Sequence, residues 1–339
     1  MSGRSGRSRV TSADVAREAK VSRATVSYVL NNSARQKIPE NTRRRVREAA
    51  ARLGYAPSAA ARSLRRGRSD IVLGLLPDWP IEHVLGRLVQ QLTNALAQHE
   101  LTFLVHSAAH PARPLREVWK ALTPAAVLAL DAFPEAEAEA EAGAMRAAGI
   151  EVVMAVHGSV RSGHRAPLVS EEPIGAAQAR HLVQAHSRLG YAYPDVAGLG
   201  VLAGPRLDGA RKVCAELGLP EPVVRTVPVD ADGAVVAVKA WLAADPPVTA
   251  VCAFNDTVAL AVLAALRSLG LRAPQDLAVI GVDDIPGAAL AQPPLTTIVR
   301  DTDTIARGLA RRIVDALDGA PVSVSPIQDP LWVRVRVSG

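Results

Sequence analysis

From residue 70 onward, apolar runs of strand length alternate with segments of helical composition. Strands are predicted at 71–76, 101–106, 126–130 and 152–156, and again at 196–203, 223–227, 248–253 and 277–282. Helices are predicted among them, for example at 84–99, 173–189, 234–244 and 257–269. Continuous apolar strands separated by helices are the pattern of a parallel sheet covered on both faces. Two sets of four strands predict a body of two α/β lobes. Glu135, Glu137, Glu139 and Glu141 alternate with Ala at strand period. Glu and Ala are helix formers and Pro134 precedes them, so a helix with solvated acids is expected there.

Composition narrows the compartment. The only cysteines, Cys214 and Cys252, sit in apolar segments and are expected as buried thiols in a reducing compartment. No run approaches the ~18–20 apolar residues of a membrane span. The basic start at Met1 is followed by no apolar stretch, so no secretory signal is expected.

The charge is unevenly placed. Residues 1–68 carry 17 Lys+Arg against 4 Asp+Glu, a net of +13 in a chain whose total is +6. The remainder is therefore net −7. A basic head on an acidic body points to a polyanion, with nucleic acid first and an anionic membrane second. The head also carries helical spacing. Thr11 suits an N-cap with Asp14 three residues on. Ser22 suits the cap of a second helix over 23–30, which buries Val26, Val29 and Leu30. Pro39 suits the first turn of a third, with Val46, Ala49, Ala50 and Leu53 on one stripe and Gly54 as its stop. Two short helices across a three-residue break, closed by a third, make a helix-turn-helix unit. Its second helix would present Arg23, Ala24, Thr25, Ser27 and Tyr28 to a major groove.

The run Asp14-Val-Ala-Arg-Glu-Ala-Lys-Val-Ser-Arg-Ala-Thr-Val-Ser-Tyr-Val-Leu-Asn31 resembles the head of the lactose-repressor (LacI-type) family of bacterial regulators. Thr42-Arg43, Leu53-Gly54-Tyr55 and Pro57 share the likeness, which covers 10–66 almost without gaps. The resemblance implies base readout by Arg23, Ala24 and Tyr28, phosphate contacts from Thr25 and Ser27, and further DNA contacts from Thr11 and Asn31. Lys20 stands where the family often has Gly. Tyr28 replaces an Arg found in many members and cannot make a bidentate contact to guanine. Ala24 offers a base only a methyl contact. The resemblance also makes 57–69 a hinge that orders as a helix on DNA, with Leu64 as a minor-groove wedge and Ala61 and Arg62 along the groove. There Ser58 replaces the family's usual Asn. Read by itself, the segment is a free linker, too short for an isolated helix.

The likeness continues in the body at Ala253-Phe-Asn-Asp-Thr-Val-Ala-Leu260, Val279-Ile-Gly-Val-Asp-Asp-Ile-Pro286 and Pro293-Pro-Leu-Thr-Thr-Ile298. It implies a periplasmic-binding-protein-like core with its ligand between lobes, at the C-terminal ends of strands. By resemblance Asn255 and Asp283 bond effector hydroxyls and Arg206 is the effector arginine. From the residues alone, Asn255 is equally a helix N-cap and Asp283 a turn acid. Asp78 and Trp79 follow the first strand, where Trp79 either stacks on a sugar face or covers the core edge. The loop ahead of Arg206, at Gly204-Pro205, is shorter than the family's. Ile81-Glu82-His83-Val84 replaces a common Asn-Pro-Phe-Phe pattern.

The expected fold class is an all-α helix-turn-helix head plus an α/β two-lobed core with parallel sheets. The head spans 1–56, with 1–9 a disordered tail. The hinge spans 57–69 and the core 70–339. Lobe 1 takes about 70–160 and 290–322, and lobe 2 about 161–289 and 323–339. No enzyme motif is convincing: Gly198-x-Gly200-x-x-x-Gly204 lacks its acidic partner, and His106 and His110 lack a third ligand. No cofactor or metal is expected. The expected function is a cytoplasmic homodimeric transcription regulator, more a repressor than an activator. It would bind a pseudo-palindromic double-stranded operator, gated by a small molecule such as a sugar or nucleoside. Two rivals stand: an effector-independent DNA binder with a degenerate pocket, and a solute-binding module with a basic anchor.

Overall fold

The computed structural model describes residues 10–30, 38–55, 68–77, 79–107, 114–130, 135–153, 169–321, 323, 325–328 and 330–339. The chain divides into two compact units, one up to Asp70 and one from Ile71.

The first unit holds α1 (Ser12–Glu18), α2 (Arg23–Leu30) and α3 (Glu40–Leu53). The Asp14 carboxylate accepts from Thr11 N at 3.0 Å and Thr11 Oγ1 at 2.7 Å, fixing the entry to α1. Ser22 Oγ accepts from Thr25 N at 3.0 Å and opens α2. Between these helices Lys20 has φ +52°, the left-handed conformation that glycine takes without strain. That explains why a turn of this shape favours Gly. Val15, Ala19, Val26, Val29, Val46 and Ala49 form one buried core. Arg45 Nη2 donates to Ala19 O at 3.0 Å, and Gly54, at φ +62°, stops α3.

The second unit contains two sheets. β1 (Ile71–Leu76), β2 (Thr102–Ser107), β3 (Ala126–Ala129) and β4 (Glu151–Val153) lie in the order β2-β1-β3-β4, all parallel. They alternate with α4 (His83–Ala97), α5 (Leu115–Leu122) and α6 (Glu135–Ala147). The second sheet runs β10-β9-β8-β7-β5-β6. Its strands are β5 (Leu189–Pro194), β6 (Val223–Val227), β7 (Ala250–Ala253), β8 (Ala278–Val282), β9 (Thr296–Arg300) and β10 (Leu331–Arg334). Among the described residues only the β9–β10 pair is antiparallel. The helices with it are α7 (Glu172–Leu182), α8 (Gly200–Glu216), α9 (Ala231–Leu242), α10 (Asp256–Ser268), α11 (Pro286–Leu290) and α12 (Thr302–Leu317). Each sheet is covered on both faces by buried aliphatic clusters. Burial of each Leu, Val or Ile there is worth ~1.5–3 kcal/mol. Both cysteines are buried free thiols. Among the described residues no helix is long and apolar enough to cross a membrane.

Several expectations are corrected. Residues 196–203 are not a strand. The strand lies earlier, at β5, and 200–203 already belong to α8, because a short apolar run does not itself distinguish strand from buried helix. The helix predicted to reach 189 stops at Leu182. The second sheet has six strands, not four, since β9 and β10 add to its edge. Residues 296–300 therefore belong to the second lobe, and the chain crosses back after Arg300. There α12 sends Ile305, Ala306, Leu309 and Ile313 into the core beside Leu88 and Leu92 of α4. Residues 204–206 form no loop; they lie on α8. Glu141 is not solvated, because its carboxylate accepts from Trp119 Nε1 and from Arg116.

Candidate functional site

Two places carry chemistry. The first is the outer face of α2. Val26 and Val29 are buried at 1% and 2% exposure, which fixes the rotation of the helix. Arg23, Ala24 and Tyr28 must then face outward, while Thr25 and Ser27 are half-buried at its flanks. The first turn of α2 holds no acidic residue, so its N-terminal partial positive charge is uncompensated and available to a phosphate. Thr25 Oγ1 lies 2.9 Å from Ser22 Oγ, and exposed Thr11 is bonded to Asp14. Asn31, Ser58, Ala61, Arg62 and Leu64 lie outside the described residues.

The second is a cavity of about 80 Å³ between the two lobes of the body. Its walls come from the segments that follow β1, β3, β7 and β8, the C-terminal ends of parallel strands, where α/β sheets open a crevice. Trp79, Arg206, Asn255 and Asp283 all line it; Asp78 lies outside the described residues.

Arg206 reaches the cavity because α7 and α8 touch backbone to backbone. A Cβ on Gly175 would fall 1.7 Å from Arg206 O, and one on Gly209 would fall 2.0 Å from Glu172 O, so only glycine permits the approach. Glu171 then accepts from Arg206 Nε at 2.8 Å and Nη2 at 2.7 Å, and from Arg300 Nη1 at 2.8 Å. All three are at most 6% exposed. Arg206 Nη1 also donates to Phe254 O at 2.6 Å, with its guanidinium 4.6 Å from the Phe254 ring centre.

Asn255 serves two purposes. Its Oδ1 accepts from Val258 N at 2.9 Å and caps α10, while its Nδ2 donates to Glu82 Oε2 at 2.5 Å. That second bond joins the lobes. Trp79, half-buried, makes the same crossing and packs on the core of the second lobe. Asp283 follows β8 at φ +104°, which turns the chain back at the cavity wall. Burial raises the Glu82 carboxyl above its ordinary pKa, and the Asp283 charge adds to this. Burial raises Asp283 as well, against the pull of Arg206 and Arg300. Asp256 sits next to Asn255 but does not line the cavity. Burial lifts it to about 7, opposed by hydrogen bonds from Thr297 Oγ1 (2.6 Å) and Ile285 N (2.9 Å).

Glu171, Arg300, Phe254 and Thr302 were not foreseen as site residues. The Glu-Glu-Pro sequence at 171–173 marks a helix start, and Arg300 is a charge closing an apolar strand, but neither signal names a partner. Glu82 stood out only as a departure from a pattern.

Known proteins resemble the chain in both units. Residues 11–58 match the family model for bacterial regulatory proteins of the lacI family, and residues 179–338 match that of the periplasmic binding protein-like domain. The HTH-type transcriptional regulator GalS of Salmonella typhimurium is 31% identical over 85% of this chain and 84% of its own. The lac repressor dimer bound to operator and the anti-inducer ONPF superposes with a TM-score of 0.77 at 23% identity, covering 98% of this chain and 99% of that one. The regulator CelR in complex with cellobiose has a TM-score of 0.64 at 26% identity, covering 98% and 100%. With a GalS-like identity spanning head and body alike, the chain belongs to the lacI family of bacterial regulatory proteins.

Proposed function

We propose that the chain is a transcriptional repressor that grips a pseudo-palindromic operator as a homodimer and is gated by a small molecule held in the cavity between its lobes. The observation that carries this reading is the outer face of α2, with Arg23, Ala24 and Tyr28 exposed in a head of net +13. Arginines spread through the head supply phosphate affinity, which must fall steeply with salt. Thr25, Ser27, Thr11 and Asn31 set the register on the backbone, while Arg23, Ala24 and Tyr28 meet base edges. Ala24 can favour thymine only through its methyl group, and Tyr28 offers one hydroxyl. Two-fold symmetry of the protein implies two-fold symmetry of the site.

In this reading Ser58, Ala61 and Arg62 belong to a hinge, and Leu64 is a wedge that unstacks a base step. Residues 1–56 are the head, 57–69 the hinge and 70–339 the core. The lac repressor whose fold this chain shares is bound to operator and an anti-inducer, and CelR holds cellobiose. These support an operator for the head and a small ligand for the cavity, contacted by Arg206, Asn255, Asp283, Trp79 and Asp78. A ligand shifts DNA affinity only through its different affinity for two arrangements of the lobes. The protein works in the cytoplasm, on the nucleoid when bound.

Selection from random duplexes with the full chain tests this. The expected result is an enriched, two-fold symmetric sequence bound over scrambled competitor at moderate ionic strength. Equal binding to competitor would refute operator recognition. An enriched site whose affinity no small molecule changes would favour the effector-independent alternative.

A further inference from the structure

We propose that the cavity takes a small cation, a ligand with a protonated amine on an apolar body, its ammonium seated between the carboxylates of Glu82 and Asp283. The inference rests on reading the cavity as the effector site, and adds the ligand's charge. Among the described residues, the charges lining the cavity are three carboxylates, Glu82, Glu171 and Asp283, against two guanidiniums, Arg206 and Arg300. Both guanidiniums are committed to Glu171, and Arg206 is further held by the Phe254 carbonyl. They make a buried group, poorly placed to clamp an anion.

Glu82 and Asp283 remain. Among the described residues the Glu82 carboxylate accepts one hydrogen bond, from Asn255. Among the described residues no side chain bonds the Asp283 carboxylate. Two acids facing an apolar enclosure repel each other, and a cation between them removes both the repulsion and the unmet demand for donors. Thr302 supplies an independent sign of a ligand. It is 2% exposed, it lines the cavity, and among the described residues its Oγ1 has no hydrogen-bond partner. A buried hydroxyl left without a partner is uncommon and expects one from outside the chain. Among the described residues most of the remaining wall is apolar, with Trp79, Leu85, Leu202 and Ile305 facing the space. Such a surface suits a hydrocarbon body more than a polyol, whose hydroxyls would lie against carbon on most sides.

The test is calorimetry on the full chain near neutral pH with matched pairs that differ only in amine against hydroxyl: benzylamine with benzyl alcohol, cyclohexylamine with cyclohexanol, and glucosamine with glucose. An amine should bind at least about tenfold tighter than its partner. Glu82→Gln and Asp283→Asn should each remove most of that advantage. Gln retains an acceptor for Asn255 Nδ2, so the contact between lobes survives the first change. Thr302→Val should weaken both members of a pair alike. Hydroxyl members that bind as tightly as amines, an absence of binding by any amine, or an amine advantage that survives both carboxylate changes would overturn the proposal. Operator affinity measured with the same compounds separates the two readings. Neutral ligands that alter operator affinity leave the effector site standing and remove its cation preference. Amines that bind in the cavity with no effect on operator affinity leave the cation site and remove its regulatory role.

Discussion

The head and the body of this protein were built from different kinds of sequence information. In the head, the bonds that set each element are local. Thr11 meets Asp14 three residues on, and Ser22 meets Thr25 at the same spacing. In the body, the bonds that make the site join distant residues. Glu82 and Asn255 are 173 residues apart, and Glu171 and Arg300 are 129 apart. Local bonds leave a spacing that can be read along the chain, whereas distant ones exist only once two sheets have formed. The comparison predicts that single changes should be far more damaging in the body's site than on the head's working face.

Glu171→Gln is the sharpest way to break it. The change leaves two buried guanidiniums with one weakened acceptor. Removing one partner of a buried ion pair costs about 3–5 kcal/mol. All four tryptophans lie beyond Asp70, so denaturation followed by tryptophan fluorescence reports the body alone. A loss under about 1 kcal/mol would mean that water reaches the triad and that it is not the body's keystone.

Asp256 in the body and Asp14 in the head should answer pH with opposite sign. Asp256 in the body is raised from 3.8 to about 7, first by burial. Its proton is held more tightly in the fold than in the unfolded chain. Its contribution to stability is therefore greatest at low pH and falls as pH rises from about 4 to about 7, by on the order of 4 kcal/mol. Glu82 and Asp283 push the same way. In the head, hydrogen bonds from Thr11 hold the exposed Asp14 below its ordinary value. That contribution is present at neutral pH and is lost as pH falls through the folded pKa. Asp256→Asn should flatten the body's slope across pH 4–7 in tryptophan-monitored unfolding; an unchanged slope would assign it to other acids.

Much of the fold was legible. The strands at β1, β3, β6, β7 and β8 and the three head helices follow from apolar spacing and caps. What failed, failed for physical reasons. Residues 196–203 are apolar because they enter a helix packed on the second sheet, and apolarity alone does not separate that from a strand. β9, opened by two Thr and closed by Arg, and β10, a four-residue edge strand, each lack the longer continuous apolar run that marked the other strands. In the cavity, Arg206, Asn255 and Asp283 are named by family likeness, and Trp79 by its place after the first strand. Glu171 and Arg300 were invisible because a buried acid and a base on another element read as ordinary surface charge until the fold unites them.

On the head's working face the effects should be specific instead of structural. Tyr28 is 38% exposed, so Tyr28→Ala should leave the fold intact. It should relax sequence preference at one position of each half-site by about 0.5–1.5 kcal/mol, the worth of a single neutral hydrogen bond. A repeated binding-site selection checks this, and an unaltered preference at every position would remove Tyr28 from base readout.

The smallest effect sharpens the comparison most, because it separates stability from function at one residue. Lys20 is exposed and left-handed at φ +52°. A non-glycine residue in that conformation is strained by about 1–2 kcal/mol, and glycine adds ~0.5–1 kcal/mol of chain entropy to be lost on folding. Lys20→Gly should therefore stabilise the head by about 0.5–1 kcal/mol, measured by amide hydrogen exchange at Val15, Val26 and Val46, while tryptophan fluorescence of the body stays unchanged. The same variant removes one positive charge. If the lysine touches a phosphate, the slope of operator affinity against salt should fall by about one counterion as the head becomes more stable. Greater stability with an unchanged slope would mean that Lys20 is carried at a turn that would be better served by glycine. Lower stability would show that its side chain holds the turn by contacts that outweigh the strain.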